Sequence, residues 1–133
     1  MKLMKSLVNE GGLFIDVEYF YTPSPMYIRF IKLIFQKGIF FITVQEDDSL
    51  ELTENIAESI LEEDGLEKIN VSDELPWKLS IGKSVLWART MVNQQGYFDG
   101  LQFDFANNVS QEPVIIQLIS MPAHIDIFTV KRV

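Results

Sequence analysis

A run of six residues, Ile39 to Val44, is bulky and almost entirely apolar. Side chains of a β-strand alternate between the two sides of a sheet, so a strand of this composition needs cover on both sides. The run is too short to span a membrane. It therefore predicts a strand in the centre of a sheet, beneath a helix.

The stretch Tyr27–Phe35, which precedes this run, fits two structures. Its Ile, Phe and Tyr residues favour a strand. Arg29, Lys32 and Gln36, however, fall at helical spacing. We predict a strand, because residues 36–38 then make a short hairpin turn into the apolar run.

Further strands are indicated on both sides of these two. Leu13–Tyr21 has strand character, and residues 3–8 fit either a short helix or an edge strand. In Leu101–Ala106, apolar and polar residues alternate as in a half-buried strand. From Leu79 onward we predict four strands, at residues 85–92, 101–106, 114–120 and 125–130.

The best helical pattern covers Thr53–Glu63. Thr53 suits the N-cap, Gly65 is placed to end the helix, and an apolar stripe runs along it at Ile56, Ala57, Ile60 and Leu61. Its C-terminal end carries Glu62, Glu63 and Asp64, where each exposed negative charge costs about 0.3–1 kcal/mol against the helix dipole. A cation from the same fold or from a partner would relieve that repulsion.

These elements predict one fold class. With 133 residues the chain has the usual length of a single domain, and we expect residues 1–133 to form one. The predicted class is α+β, a predominantly antiparallel β-sheet with one or two helices packed on one face.

Composition excludes several chemistries. The chain has no cysteine and one histidine, which removes disulfides, thiol nucleophiles and iron–sulfur clusters and makes a zinc site improbable. The apolar stretch near the start ends at residues 9–12, too early for a signal peptide. We expect a cytoplasmic protein that needs no cofactor.

Charge is distributed unevenly along the chain. Residues 46–74 contain twelve acidic residues and one lysine, whereas the remainder is slightly basic, and the net charge is −8. No dense Lys/Arg cluster is present, so we expect neither nucleic-acid nor membrane binding. The acidic segment serves either solubility or the attraction of a basic protein partner.

Three motifs that suggest chemistry are each incomplete. Gly82-Lys83-Ser84 ends like a phosphate-binding loop, but Trp77 stands where that loop needs glycine. His124 and Asp126 would share a strand face, without a visible third group for catalysis. The acidic turn 46–51 lacks the residue spacing of an EF-hand calcium loop. We therefore assign no catalytic residue and no metal ligand.

The most distinctive residues lie between Trp87 and Phe105. A polar and aromatic loop joining two strands is a credible recognition surface, and it equally suits a long structured hairpin. The candidate binding residues are Asn93, Gln94, Gln95, Tyr97 and Asp99 in this loop, together with Glu62, Glu63 and Asp64 after the helix.

The same region carries a family resemblance. Ile81-Gly82-Lys83, Trp87 and the block Asn93-Gln94-Gln95-Gly96-Tyr97-Phe98-Asp99-Gly100-Leu101-Gln102 resemble a hairpin of small uncharacterised bacterial proteins. Residues 35–38 and 46–48 are similar to the first hairpin of those proteins, and the resemblance extends over residues 27–106. It supports a strand at 27–35 and implies no catalytic residues, because no function is attached to that family.

The favoured hypothesis is a small non-enzymatic binding or interaction protein. One form is an inhibitor or immunity-type protein whose acidic face engages a basic partner, and self-association into a homo-oligomer is equally compatible. The alternatives are a structural subunit of a larger assembly or a small enzyme that uses carboxylates. The enzyme would draw on Asp99, Asp104, Asp126 and His124.

Overall fold

The computed structural model describes residues 2–54, 56–96 and 98–130. Their helices are α1 (Lys2–Glu10) and α2 (Glu58–Glu63), with a single 3-10 turn at Trp77–Leu79. The strands are β1 (Phe14–Pro23), β2 (Met26–Phe35), β3 (Gly38–Val44), β4 (Leu50–Thr53), β5 (Glu67–Asn70), β6 (Ser84–Val92), β7 (Phe98–Ala106), β8 (Val114–Met121) and β9 (His124–Val130). The predicted strand at 27–35 is confirmed, and the opening segment is a helix.

The strands form two antiparallel sheets. Sheet A has the order β4-β3-β2-β1-β5, and sheet B has the order β6-β7-β8-β9. The prediction of a predominantly antiparallel α+β fold is confirmed, whereas the division into two sheets was not predicted. β3 lies inside sheet A between β2 and β4, so its apolar run is an interior strand as expected.

The two sheets share one hydrophobic core. Phe14 of β1 stacks on Phe105 of β7, with their ring centroids 5.1 Å apart. Ile31 and Leu33 of β2 belong to the same cluster as Phe103 of β7, and all three side chains are fully buried. The inner face of each sheet therefore covers that of the other, which removes both from water.

The chain crosses the outer face of sheet A between β4 and β5. These strands are the two edges of the sheet, so residues 54–66 have to span it. On the way, Leu61 of α2 forms a second apolar cluster with Phe20 of β1 and Phe41 of β3. We call residues 54–66 the acidic crossover, because they carry five acidic residues and no basic ones.

Two predicted boundaries were wrong. The helix does not begin at Thr53, because Thr53 pairs with Phe41 as the last residue of β4. That pairing buries Leu50 and Leu52 in the core and postpones the helix to Glu58. The loop after Val92 is also shorter than predicted, since Phe98 already pairs with Val92.

Candidate interaction surfaces

The acidic crossover is attached to sheet A by a charge network. Nζ of Lys32, on β2, lies 2.6 Å from Oε1 of Glu58 and 3.5 Å from Oε1 of Glu18. Lys68 approaches Glu18 more loosely, with 3.9 Å between Nζ and Oε2. Lys32 lies under α2 because β2 is the central strand of the sheet that the crossover spans.

The contacts in this network raise the pKa of Lys32 and lower that of Glu58. Partial burial lowers the pKa of Lys32, but the hydrogen bond and charge of Glu58, with the charge of Glu18, outweigh burial and raise it overall. The hydrogen bond from Lys32 lowers the pKa of Glu58. Both residues are therefore held in their charged forms at neutral pH.

Glu62, Glu63 and Asp64 lie at the other end of α2, and all three are exposed. The helix has no basic residue in its last turn, and no salt bridge involves these acids within the part of the chain that the structure describes. Gly65, with φ of 77°, ends the helix, and its N–H donates to Glu62 O at 3.0 Å. The negative charge predicted at this helix end is therefore not neutralised by any ion pair among the described residues.

The polar loop predicted as a recognition surface is a tight turn between β6 and β7. Oδ1 of Asn93 accepts a hydrogen bond from Gln95 N at 2.9 Å, which stabilises the turn. Gln94 and Gln95 are exposed, and Asp99 is half-buried in β7. Tyr97 lies outside the described residues. Glu62, Glu63 and Asp64 belong to the other sheet's crossover, so nothing described joins the two predicted groups into one site.

The outer face of sheet B is a regular grid of side chains. The pairing of its strands places twelve residues in three cross-strand rows: Trp87, Asp104, Ile115, Val130; Arg89, Gln102, Gln117, Phe128; and Met91, Gly100, Ile119, Asp126. We call this set the open face, because Trp87 and Phe128 on its two outer strands are 48% and 49% exposed, whereas Gly100, Gln102, Asp104 and Ile115 on the two inner strands are buried. Neither aromatic side chain contributes to the core between the sheets.

A directed chain of hydrogen bonds runs across the middle of the open face. Nε2 of Gln117 donates to Oε1 of Gln102 at 2.9 Å, and Nε2 of Gln102 donates to Oδ1 of Asp104 at 3.1 Å. Asp104 is only 3% exposed, yet the described residues offer no hydrogen-bond donor to its Oδ2. No fully enclosed polar atom in the described chain lacks a partner, so this oxygen reaches the surface as an open acceptor.

The histidine–carboxylate pair forms, but without the other candidate carboxylates. Nε2 of His124 lies 3.3 Å from Oδ1 of Asp126, and the imidazole stacks on Tyr27 with ring centroids 4.6 Å apart. Asp104 lies two strands away in a different row of the open face. The register therefore separates Asp104 from the pair instead of gathering these residues around one reaction centre.

Other surface features carry less chemistry. A groove of about 510 Å³ runs beside β9 and is lined mainly by apolar side chains, including Leu75, Leu79 and Ile127. Among the described residues, no group of three or more histidine, aspartate and glutamate side chains could hold a metal ion. None of the described helices is long and apolar enough to cross a membrane.

Sequence reasoning missed the open face as a unit. Gln102 and Asp104 were visible as polar positions of an alternating strand, and Gln117 and Phe128 lay in predicted strands. These residues lie side by side because of the register in which the strands pair. The alternation of residues within one strand does not reveal that register. A search for polar residues in all four strands of sheet B would have found the polar members of the set without their arrangement.

Comparison with known proteins gives a family. Residues 16–133 match the model of DUF6334, described as a family of unknown function. No curated protein and no solved structure matches the chain.

Proposed function

The chain therefore belongs to that family of unknown function, and we propose that it is a non-enzymatic interaction protein whose acidic crossover binds a basic protein. An inhibitor or immunity-type role is the specific form of this proposal. The crossover has the expected chemistry, because it carries five negative charges and no positive charge.

One observation carries the proposal. Glu58 of α2 is neutralised by Lys32 at 2.6 Å, whereas Glu62, Glu63 and Asp64 are exposed at the end of the same helix without a described ion pair. Glu58, which attaches the crossover to the sheet, therefore has a cationic partner within the fold, whereas the three acids at the end of the helix face solvent. Lys or Arg side chains of a partner would relieve their repulsion with the helix dipole.

The small energy of each exposed ion pair determines which property of the complex to measure. Exposed ion pairs contribute about 0.2–1 kcal/mol each, so no single pair would dominate the affinity. Several acids on one surface still accelerate the encounter with a basic partner and make binding weaken as salt rises. The proposal therefore predicts association that is strongly salt-dependent.

The test begins with affinity capture of the tagged protein from its native lysate at low and at high salt. The recovered partner is then purified, and its dissociation constant is measured with wild-type protein and with the variant Glu62→Lys/Glu63→Lys. We expect the constant to rise about tenfold or more, since two attractive contacts become repulsive.

The matched control is Glu10→Lys/Glu112→Lys, which changes the net charge equally at two exposed acids outside the crossover. It should leave the dissociation constant within about twofold of wild type. Equal weakening by both variants, or binding that persists at high salt with the crossover reversed, would contradict the proposal.

A further inference from the structure

We propose that the open face of sheet B is the interface of a two-fold symmetric dimer, in which Arg89 of each copy pairs with Asp104 of the other. This interface is separate from the acidic crossover and goes beyond the proposed function. It rests on the composition of the face, on two neighbouring groups that lack full pairing, and on where the negative charge lies.

The composition of the open face is that of an interface. Its twelve residues include Trp87, Met91, Phe128 and Arg89, and no lysine or glutamate, in a chain with 19 acidic and 11 basic residues. Aromatic residues, methionine and arginine are enriched at protein interfaces, whereas lysine, glutamate and aspartate are depleted, so Asp104 and Asp126 are the exceptions in this set. The outer face of sheet A differs, since Glu18, Lys32 and Lys68 form ion pairs there.

Arg89 and Asp104 carry opposite charges, and neither is fully paired among the described residues of its own chain. Arg89 is exposed, is the only Lys or Arg between residues 84 and 130, and has no hydrogen bond or ion pair to the described residues. Asp104 lies on the adjacent strand, one row away, with its open Oδ2. On a two-fold axis the arginine of each copy meets the carboxylate of the other, so one contact type forms twice.

The surroundings of Asp104 suit a guanidinium group. Trp87 stands directly opposite Asp104 in the β6–β7 register and is about half exposed. An arginine that bonds to the carboxylate can lie over the indole at the same time, which adds a cation–π contact. The free Oε1 of Gln117, whose amide nitrogen is already engaged, offers a second acceptor nearby.

The charge distribution favours a second copy over another occupant. Five acidic residues lie in the acidic crossover on the outer face of sheet A, in the opposite layer from the open face. A dimer formed through sheet B therefore keeps the two acidic crossovers on its far sides. The repulsion between two copies with a net charge of −8 each is then smaller than if the crossovers faced each other.

The area of the face sets the expected strength. Four strands about 4.8 Å apart and six residues of about 3.4 Å each give roughly 400 Å² per copy. A stable interface buries about 800 Å² per partner. We therefore expect a weak dimer whose population rises with concentration, with a dissociation constant of about 1 µM to 1 mM.

Sedimentation velocity of the full chain over that concentration range is the first measurement, followed by tryptophan fluorescence on the same samples. The sedimentation coefficient should rise with concentration and the emission should shift to shorter wavelength. The shift reports Trp87, because Trp77, the other tryptophan, is already fully buried. Trp87→Phe should abolish it.

Two variants test the reciprocal pair. Arg89→Glu should raise the dissociation constant at least about tenfold, because attraction becomes repulsion at two places. Lys78→Glu, the same change of charge at an exposed lysine outside sheet B, should have no effect. Mixing Arg89→Glu with Asp104→Asn should give more dimer than either variant alone at the same total concentration, because the mixed pair restores one arginine–carboxylate contact.

The outcomes are decisive in both directions. More dimer in the mixture than in either variant alone supports the reciprocal contact, because a purely structural role of either residue predicts no such excess. A wild-type chain that stays monomeric throughout the range overturns the proposal, and so does equal loss with Lys78→Glu. A monomer whose Arg89→Glu variant loses an acidic partner overturns the dimer and assigns the face to that partner. Glu62→Lys/Glu63→Lys should leave dimerisation unchanged, which separates this test from that of the proposed function.

Discussion

Tyr19 and Trp77 form a buried polar contact in the core. The indole N–H of Trp77 donates to the hydroxyl oxygen of Tyr19, and Trp77 is fully buried. Burial is the main cause that raises the pKa of Tyr19 to about 12, although the hydrogen bond from Trp77 partly opposes it. The phenol is therefore neutral in the native state at pH values where an unfolded tyrosine ionises.

Tyr19→Phe tests both consequences. At neutral pH it should lower the free energy of unfolding by about 1–3 kcal/mol, because the indole N–H loses its acceptor. A raised native pKa contributes stability that is complete below pH 10 and is lost as pH rises through about 12. In wild type this loss amounts to about 3 kcal/mol, and Tyr19→Phe should lack it.

Urea unfolding at a series of pH values measures both effects. Tyr21→Phe is the control, since its hydroxyl donates to Glu67 at an exposed position. It should leave the neutral-pH stability close to that of wild type, because the contact is exposed. An alkaline loss that is equally steep in wild type and Tyr19→Phe would rule out this account of Tyr19.

At the scale of elements, α2 is a short helix that owes its position to packing. It has six residues, too few for stability in isolation, and Leu61, which is 2% exposed, fixes it against Phe20 and Phe41. The Lys32–Glu58 pair adds a partly exposed contact of modest value. Apolar contact should therefore decide whether the crossover stays on the sheet.

Leu61→Ala should release α2 from sheet A. We expect a loss of about 2–3 kcal/mol in the free energy of unfolding. Amide hydrogen exchange across residues 58–63 should be faster than in wild type, and this acceleration should exceed that in the core strands. Leu75→Ala, at a position that is 70% exposed, is the matched control and should change neither quantity. Unchanged exchange in α2 of Leu61→Ala would mean that the charge network alone holds the crossover.

At the scale of the whole molecule, Phe14 joins the two sheets. Its ring centroid lies 5.0 Å from that of Phe35 in sheet A, 5.1 Å from that of Phe105 in sheet B and 5.9 Å from that of Trp77. Because each sheet covers the other, neither inner face can stay buried alone. We therefore expect the described strands to unfold as one cooperative unit.

Phe14→Ala should lower the free energy of unfolding by about 3–5 kcal/mol while the transition stays single. Tryptophan fluorescence and far-ultraviolet circular dichroism should follow the same denaturant curve. Phe98→Ala, at a 44% exposed position, should cost less than about 1 kcal/mol. Separate transitions for the two probes would show that the sheets unfold independently.

Part of this architecture follows from the amino-acid sequence alone. The apolar run Ile39–Val44 identifies an interior strand, and β-branched and aromatic content correctly favours a strand over a helix at 27–35. These inferences succeed because local side-chain chemistry and the two-residue period of a strand are written in consecutive positions. The acidic character of residues 46–74 is likewise a property of the sequence.

Tertiary structure decided the rest. Thr53 had the features of a helix cap, but pairing of Leu50 and Leu52 with β3 drew it into a strand. The division into two sheets, the path of the acidic crossover and the alignment of Arg89, Gln102 and Asp104 all depend on which distant strands pair and in what register. The periodicity of one segment contains no information about the strands with which it pairs. The sequence therefore determined the kinds of element and their charge, whereas strand pairing determined which side chains meet.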